Sequence, residues 1–285
     1  MQRINEPQTL PPAQLLGEGI FARHSLNPNS SQEEKVLWIH GYTLDSSIWS
    51  TLWENLSNWQ HVGIDLPEHG ASACLEKGET LSTLSNRIGK LAIAHHISHL
   101  IGLSFGGMIA LQVATQFPDA FSTLTLAAPG LGGGASDPAA QSRNLEMIAL
   151  YRNRGRGAWL TEKWMQSPPD IFKGASRYPR LWQALEQIVS RHAWQELTDH
   201  RMNALTNYPQ SESSMSRIKA TTLLLVGEED MPSFKRNAEI IRRAIPNAHR
   251  KYISGAGHLC LLEKPMSVIP LLDRHLCTFS RTLQL

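Results

Sequence analysis

Several features that would assign the chain to a specialised class of protein are scarce in its 285 residues. Its three cysteines, Cys74, Cys260 and Cys277, are an odd number without metal-ligand spacing, which argues against a disulfide framework and a zinc site. A net charge of +2 creates no strong electrostatic field, so neither a nucleic acid nor an anionic membrane is an expected partner. No apolar run approaches the length of a membrane span.

The N-terminal stretch, residues 1–12, also lacks the charged-then-apolar pattern of a secretion signal. Together with the cysteine content, this predicts a reduced, cytoplasmic protein. The chain is long enough for one large α/β domain, or for one domain with an insertion, and its 41% hydrophobic residues can build the core.

The most informative stretch is Gly102-Leu103-Ser104-Phe105-Gly106-Gly107, which lies between a short apolar run and a helix-like segment that Pro118 ends. This order predicts a strand, a tight turn with Ser104 at its tip, and a helix. The flanking glycines suit a crowded and strained nucleophile elbow, where side chains would clash. At the N-terminus of the following helix, backbone N–H groups favour developing negative charge.

Two further candidates follow buried-strand patterns downstream of the elbow. Asp230 comes after the apolar run 220–226, and His258 follows the strand pattern 250–253. Because both lie just past the carboxyl ends of strands, we expect them at the edge where open α/β sheets bind ligands. The order Ser104, Asp230, His258 is the one expected for an α/β-hydrolase triad, and it differs from the chymotrypsin and subtilisin orders.

The chain resembles the α/β-hydrolase superfamily over nearly its whole length. The resemblance is carried by His40-Gly41-Tyr42 with Trp49, Asp65-Leu66-Pro67 with His69-Gly70-Ala71-Ser72, the Ser104 turn, Gly227 to Asp230 followed by Pro232, and Gly255-Ala256-Gly257-His258. Its motifs Gly-Leu-Ser-Phe-Gly-Gly-Met and Asp-Met-Pro-Ser-Phe look most like the esterase and enol-lactonase-like branch. One departure is Glu68, which stands where the family's Asp-x-Pro-Gly-His-Gly has a glycine. This departure bears on the conformation of the turn and not on the triad.

The alternation of strand and helix patterns predicts an α/β fold, with a mostly parallel central sheet and helices on both faces. Core strands are predicted over residues 19–26, 35–39, 62–65, 99–103, 122–127, 220–226 and 250–253. Beyond residue 127 the pattern is helical: Leu181, Leu185, Ile188 and Val189 share one helical face, as do Leu145, Ile148 and Ala149. We therefore predict an α/β core made of residues 1–132 and 216–285, with a helical cap, residues 133–215, inserted after strand six.

These residues predict a serine hydrolase that needs neither a metal nor an organic cofactor. Ser104 would attack an acyl carbon, His258 would act as the base, and Asp230 would orient the imidazole. The backbone N–H groups of Tyr42 and Phe105 would bind the oxyanion. The expected substrate is a small-molecule ester, lactone or thioester with a largely apolar acyl part, and a substrate bound to a carrier protein is also compatible.

Several assignments stay open at this point. Glu229 and Asp137 compete with Asp230 for the role of the acid. The candidates for the substrate pocket are Trp159 and Trp164 of the cap and Met108 after the elbow. We expect His40 to hold its loop by hydrogen bonds and Cys260 to be a buried small hydrophobe.

Other functions are compatible with the same residues. The triad also suits an acyltransferase, a cyclase or a releasing thioesterase, in which another nucleophile replaces water. The scaffold also supports C–C bond hydrolysis, cofactor-free elimination and a non-catalytic ligand receptor, because fold alone does not determine function.

Overall fold

The computed structural model of the protein describes residues 11–25, 34–135, 137–199 and 201–278. Its strands, β1 to β8, are Gln14–Gly17, Ile20–Ser25, Lys35–Ile39, Gln60–Ile64, Ile97–Leu103, Thr123–Ala127, Thr221–Gly227 and Ala248–Ile253. Its α-helices, α1 to α12, are Ser50–Asn55, Leu81–Ala94, Phe105–Gln116, Pro138–Arg154, Ala158–Trp164, Pro179–Arg191, Glu196–Asp199, Met202–Thr206, Glu212–Met215, Pro232–Ala244, Cys260–Glu263 and Pro265–Leu276. Short 3-10 helices cover Ser46–Trp49 and Ala175–Arg177.

The described strands form one sheet in the order β1-β2-β4-β3-β5-β6-β7-β8. Strand β2 runs antiparallel to β1 and β4, whereas β3 to β8 pair in parallel. The predicted, mostly parallel sheet is therefore confirmed, with β3 at its predicted bounds. Residue 26, the predicted end of the second strand, lies outside the described residues.

The sequence pattern does not predict β1, and its position explains why. This strand is four residues long and pairs with β2 at the edge of the sheet. Leu15 is 61% exposed, so the strand shows no run of buried apolar residues. Short edge strands of this kind carry a weak hydrophobic signal because little of their surface enters the core.

The central strands are buried on both faces, as the predicted helical layers require. Residues Thr222 to Gly227 of β7 are all buried, which is typical of a parallel strand covered by helices on each side. Leu224 and Val226 pack in one hydrophobic cluster with α2, α3 and α10. Leu223 and Leu225 pack in the other cluster with α1, α12 and the cap.

Between β6 and β7 the chain leaves the sheet and forms helices α4 to α9, which confirms the helical insertion after strand six. Gln210 joins the two ends of this cap to the core. Its side-chain oxygen accepts from the backbone N–H of Gly132 at 3.0 Å, and its amide nitrogen donates to the Met108 carbonyl at 3.0 Å. No helix in the described part of the chain has the length and apolar character that crossing a membrane requires.

The predicted apolar face of α4 is wrong in part. Leu145 is 68% exposed and Ala149 is also exposed, whereas Ile148 is buried together with Met147 and Arg143. The buried guanidinium of Arg143 takes the place that the pattern assigned to apolar side chains. It donates hydrogen bonds to the backbone carbonyls of Lys163, Gln166 and Pro168.

Candidate active site

Ser104 lies between β5 and α3 in a sharply bent backbone conformation, with φ 56° and ψ −114°. A residue other than glycine rarely adopts a positive φ, and such a strained backbone conformation persists only where the surrounding structure enforces it. The neighbouring glycines show the enforcement. A Cβ at Gly106 would lie 2.2 Å from the Ile39 carbonyl oxygen, and a Cβ at Gly102 would lie 2.4 Å from the Gly106 oxygen. The turn therefore requires glycine on both sides of the serine.

The structure brings the three predicted triad residues into one hydrogen-bonded series. His258 Nε2 lies 2.8 Å from Ser104 Oγ, and His258 Nδ1 lies 2.9 Å from Asp230 Oδ1. A carboxylate can only accept, so Nδ1 carries the hydrogen and Nε2 is left to accept from the serine hydroxyl. Asp230 follows β7 and His258 follows β8, so the carboxyl ends of neighbouring strands place them side by side.

The two competing acids have other partners. Glu229 is half exposed and pairs with Arg177 of the cap at 2.8 Å. Asp137 accepts from the backbone N–H of Ala140 at the start of α4 and from the hydroxyl of Ser233. Of the three candidate acids, the structure therefore brings Asp230 to the imidazole.

Two backbone N–H groups next to the serine are placed to receive negative charge. Phe105 is the first residue of α3, so its N–H has no partner within the helix. Tyr42 lies in the loop after β3, which passes close to the elbow: a Cβ at Gly41 would lie 3.4 Å from Ser104 Cβ. Within the described residues, neither N–H donates to a protein acceptor. The arrangement can therefore stabilise an anionic oxygen formed beside Ser104.

Neutral imidazoles hold the loop that contains Tyr42. His40 Nδ1 donates to the Gly41 carbonyl at 2.8 Å, and its Nε2 accepts from the Leu66 N–H at 2.9 Å. His69 accepts in the same way from the Thr43 N–H at 3.1 Å. Burial lowers the pKa of His40, and it lowers the pKa of His69 well below the ordinary value, with further lowering by the neighbouring imidazoles. These contacts agree with the predicted structural role of His40 and add His69 to it.

The Glu68 departure is accommodated by the turn itself. Glu68 adopts φ 68°, the left-handed conformation that a glycine at this position supplies without strain. Its carboxylate accepts from the backbone N–H of Leu75 at 2.9 Å. The nearby Asp65 carboxylate accepts from the N–H groups of Ser46 and Ala71, so the whole turn is tied to the loop after β3.

The three candidate pocket residues have different surroundings. Trp164 is buried against the loop after β3, and its ring centroid lies 5.2 Å from that of Tyr42. Trp159 donates to the Gly155 carbonyl and lies under the Arg154 guanidinium, and both of these contacts lie within the cap. Met108 is buried in the hydrophobic cluster beneath α3.

Phe234, the last residue of the Asp-Met-Pro-Ser-Phe motif, is a further residue of the site that is not among those predicted from the sequence. Its ring centroid lies 4.2 Å from that of His258. Helix α10 begins at Pro232, two residues after Asp230, and this places Phe234 in its first turn close to the imidazole. Phe234 thus adds an aromatic side chain to the surroundings of the candidate base.

Cys260 is buried two residues after His258, and its sulfur lies 3.7 Å from the Leu225 carbonyl oxygen. Burial raises the pKa of the thiol far above its usual range, and the Asp230 charge raises it further. The Cys260 side chain is therefore buried and packed, as the sequence predicts. The described residues contain no group of three or more His, Cys, Asp or Glu side chains arranged to hold a metal ion.

Comparison with known proteins identifies similar chains and folds. A putative 2-succinyl-6-hydroxy-2,4-cyclohexadiene-1-carboxylate synthase from Bacillus subtilis (strain 168) is 24% identical over 251 residues, which cover 84% of this chain and 88% of that protein. A thermophilic esterase from Thermogutta terrifontis superposes with a TM-score of 0.71 at 22% identity, covering 90% of this chain and 93% of the esterase. The enol-lactonase from Burkholderia xenovorans LB400 superposes with a TM-score of 0.75 at 15% identity, covering 93% of this chain and 99% of the enol-lactonase.

The solved structures share the fold of this chain and include an esterase and an enol-lactonase, the kinds of protein that its motifs resemble. The model of the alpha/beta hydrolase family matches residues 36–269, from β3 into α12. That range includes the elbow and both candidate partners of Ser104. The family predicted from the sequence is thereby confirmed: the chain belongs to the alpha/beta hydrolase family.

Proposed function

We propose that the protein is a serine hydrolase that cleaves an ester, lactone or thioester of a largely apolar small molecule through a Ser104 acyl-enzyme. One observation carries the proposal: Ser104, His258 and Asp230 form a continuous hydrogen-bonded series, with contacts of 2.8 and 2.9 Å, on the strained turn of the elbow. A serine hydroxyl is a weak nucleophile at neutral pH and needs such a base.

In the first half of the proposed reaction, Ser104 Oγ bonds to the acyl carbon as His258 Nε2 takes the hydroxyl proton. The carbonyl π electrons move onto oxygen, and the resulting oxyanion is stabilised by the N–H groups of Tyr42 and Phe105. Asp230 stabilises the imidazolium without taking its proton. When the carbonyl re-forms, the bond to the alcohol, enol or thiol breaks, and the leaving group receives the proton from His258.

Water completes the cycle by the same steps. His258 takes a proton from water as the water oxygen attacks the acyl carbon of the ester on Ser104. Collapse of the second tetrahedral intermediate breaks the bond to Oγ, returns a proton to Ser104 and releases the carboxylic acid. No other co-reactant is needed for the atoms to balance.

The surroundings of the triad favour an apolar acyl group. Phe234 packs against His258, and Phe105 and Tyr42 meet edge to face at a centroid distance of 6.3 Å. Trp164 also packs against Tyr42, edge to face at a centroid distance of 5.2 Å. Aromatic surfaces of this kind bind apolar groups by excluding water from both partners.

The proposal is tested by labelling the purified protein with a fluorophosphonate and locating the adduct by peptide mass spectrometry. Wild-type protein should be labelled stoichiometrically at Ser104, and the folded Ser104→Ala variant should not react. A wild-type protein that is folded by circular dichroism and is not labelled would contradict the proposal and would favour a ligand receptor on the same fold.

The acid is tested by comparing three substitutions. Asp230→Asn should lower kcat by roughly 10⁴-fold, because an amide in that place favours the wrong imidazole tautomer. Glu229→Gln and Asp137→Asn are the matched controls and should change kcat by less than about tenfold, since neither side chain contacts His258. A larger loss in either control would move the role of the acid to that residue.

The relative named as a synthase favours a second candidate, in which the same triad catalyses a reaction that does not end in hydrolysis. The two candidates differ in the fate of water. Turnover of a test ester in ¹⁸O-labelled water should place one labelled oxygen in the acid product if the protein is a hydrolase. A product formed without the label would favour the second candidate.

A further inference from the structure

Three side chains of the loop after β3, residues 42–45, form hydrogen bonds with the cap. We call this segment the oxyanion loop because it includes the N–H of Tyr42. Its contacts with the cap are Tyr42 Oη to Glu196 Oε1 at 2.5 Å, Trp164 Nε1 to Thr43 Oγ1 at 2.8 Å, and Arg191 Nη2 to Asp45 Oδ2 at 2.9 Å. One short loop beside Ser104 is therefore held from above by three separate parts of the cap.

The backbone of the oxyanion loop is not fixed by regular secondary structure. Tyr42 follows Gly41, and it precedes Thr43, which adopts φ 63°. A β-branched residue is rarely found in that left-handed region, so the surroundings must impose the conformation. The N–H of Phe105, by contrast, belongs to the first turn of α3 and is oriented by the helix itself. Of the two candidate oxyanion donors, the Tyr42 N–H is the one outside a helix. Its turn is closed by the Leu44 N–H, which donates to the Gly41 carbonyl at 3.2 Å, and side chains of the core and the cap hold the rest of the loop.

The contact between Tyr42 and Glu196 places a carboxylate inside the protein. Glu196 is 5% exposed, and one of its carboxylate oxygens, Oε1, accepts from both the Tyr42 hydroxyl and His192 Nε2. The other oxygen has no hydrogen-bond partner among the described residues. Burial raises the pKa of the Tyr42 phenol, so its proton stays on the tyrosine and is donated to Glu196.

A carboxylate buried with one oxygen unsatisfied opposes stability, because such a group loses its hydration without full replacement. Burial raises the pKa of Glu196, but the hydrogen bonds from His192 and Tyr42 outweigh this and lower it, so the charged form is the one held in the cap. Features that break the rules of stable packing are expected at sites that serve function. The Tyr42 ring is also enclosed by Trp164 and His192, at centroid distances of 5.2 and 5.7 Å, so a fixed hydroxyl fixes the whole residue.

We propose that Glu196 is a positioning residue of the oxyanion hole: by holding the Tyr42 hydroxyl, it orients the Tyr42 backbone N–H, so that the hole is complete only when the cap is seated. The inference rests on the proposed serine hydrolase function. Glu196 itself touches neither the substrate nor the reacting atoms. The cap thereby contributes to transition-state stabilisation through the oxyanion loop, in addition to covering the site.

The test compares Glu196→Leu, Glu196→Gln, Tyr42→Phe and the double variant Tyr42→Phe/Glu196→Leu in the full-length protein. The readouts are the second-order rate of Ser104 labelling by a fluorophosphonate and the kcat and KM for a p-nitrophenyl ester. Loss of an oxyanion donor costs roughly 10²- to 10³-fold in kcat. A donor that is present but misdirected should lower kcat by less than the loss of a donor does. We therefore expect Glu196→Leu to lower kcat and the labelling rate about 10- to 100-fold, with KM nearly unchanged.

The other variants separate positioning from general stability. Glu196→Gln keeps an oxygen acceptor for the tyrosine hydroxyl and should recover most of the lost rate. Tyr42→Phe should lose as much as Glu196→Leu, and the double variant should lose no more than either one, because both remove the same interaction. Glu186→Leu, which removes an exposed carboxylate from the same cap, is the matched control and should leave the labelling rate unchanged.

Each remaining outcome overturns the inference in a recognisable way. If Glu196→Leu lowers the melting temperature but labels at the wild-type rate, Glu196 is structural only. If the rate losses of Tyr42→Phe and Glu196→Leu multiply in the double variant, the two residues do not act through one contact. If Glu196→Leu does not fold, Tyr42→Phe serves in its place: a wild-type labelling rate in that variant would show that the contact between the two side chains does not position the oxyanion donor. Absence of labelling in the wild type would instead remove the proposed function, so the two failures are distinguishable.

Discussion

The elbow, which contains the candidate nucleophile, and the oxyanion loop beside it are held in place by different means. The elbow is fixed by close contacts between backbone atoms, because Gly102 and Gly106 allow approaches that no side chain would permit. The oxyanion loop is held by side chains as well. His40 and His69 of the core hold its backbone, and two cap residues far away in sequence hold its side chains: Trp164 is 121 residues from Thr43, and Glu196 is 154 residues from Tyr42. The elbow therefore depends on close backbone packing, whereas the oxyanion loop depends in part on side-chain contacts with the cap.

This difference assigns different tasks to the two segments. A nucleophile must keep its distance to the base throughout the cycle, and a rigid turn between β5 and α3 provides that. A donor that depends on the cap can be completed when the cap is seated over the substrate. Such an arrangement links the stabilisation of the oxyanion to closure of the site, which excludes water at the same time.

The largest effect is expected from breaking the elbow with Gly106→Ala. The new Cβ would lie 2.2 Å from the Ile39 oxygen and 2.3 Å from the His40 oxygen, both of which are backbone atoms. Overpacking of this kind costs about 3 kcal/mol or more of unfolding free energy. Because a 1 Å displacement at a reacting centre costs about 10²-fold, the labelling rate of any folded fraction should fall at least that far.

Gly130→Ala is the matched control for this substitution. The new Cβ would lie 3.5 Å from Met108 Cβ and 3.5 Å from the backbone carbonyl oxygen of Ser104, both at ordinary van der Waals distance. We expect a change in unfolding free energy within about 1 kcal/mol. Urea denaturation of both variants checks the pair, and equal losses would show that the close approach at residue 106 is not what fixes the elbow.

The local character of the elbow explains why the sequence predicts it well. Glycines, serine and the following helix pattern are consecutive residues. The strand 35–39 contains the continuous apolar run 36–39, and its predicted bounds are those of the structure. The candidate triad needs no more than the rule that the carboxyl ends of parallel strands meet at one edge. Asp230 and His258 follow from that rule once β7 and β8 are recognised.

The contacts of the cap have no comparable local signal. Position 196 is one acidic residue in a short helix, and nothing in its sequence neighbourhood indicates a partner in the loop after β3. The same limit applies to Arg143, whose burial made the predicted face of α4 wrong in part. A charged side chain that is buried against distant backbone carbonyls contradicts the hydrophobic periodicity on which the prediction of a helix face depends.

A smaller effect is expected when the pH is lowered, because two buried imidazoles hold the oxyanion loop. His40 and His69 accept backbone hydrogen bonds, and burial lowers their pKa values below 6.5. As pH falls below about 6.5, these groups take up protons in the unfolded state and not yet in the folded state, so stability falls with pH. Urea denaturation between pH 7 and pH 5 should show this loss.

The contribution of His69 is isolated by His69→Gln, whose amide has no protonation step in this range and can still accept from Thr43. The variant should be less stable at pH 7, with a shallower fall in unfolding free energy between pH 6.5 and pH 5. His61, outside the loop, has its pKa lowered by burial to about 4, so it contributes to the same loss and a residual slope is expected. Identical slopes in wild type and variant would contradict the assignment of neutral His69.

The smallest effect is expected from the most exposed contact of the oxyanion loop, between Arg191 and Asp45. The Arg191 side chain is 54% exposed, and ion pairs of this kind contribute about 0 to 1 kcal/mol. Asp45 also accepts from the Ser47 N–H at 2.9 Å, which holds it in place without the arginine. Arg191→Gln should therefore lower the labelling rate less than about threefold, and 1 M NaCl should reproduce that change in the wild type because salt screens exposed charges. A loss as large as that of Glu196→Leu would show that the direction of the Tyr42 N–H depends on the whole set of cap contacts, and the buried hydroxyl contact would lose its special role.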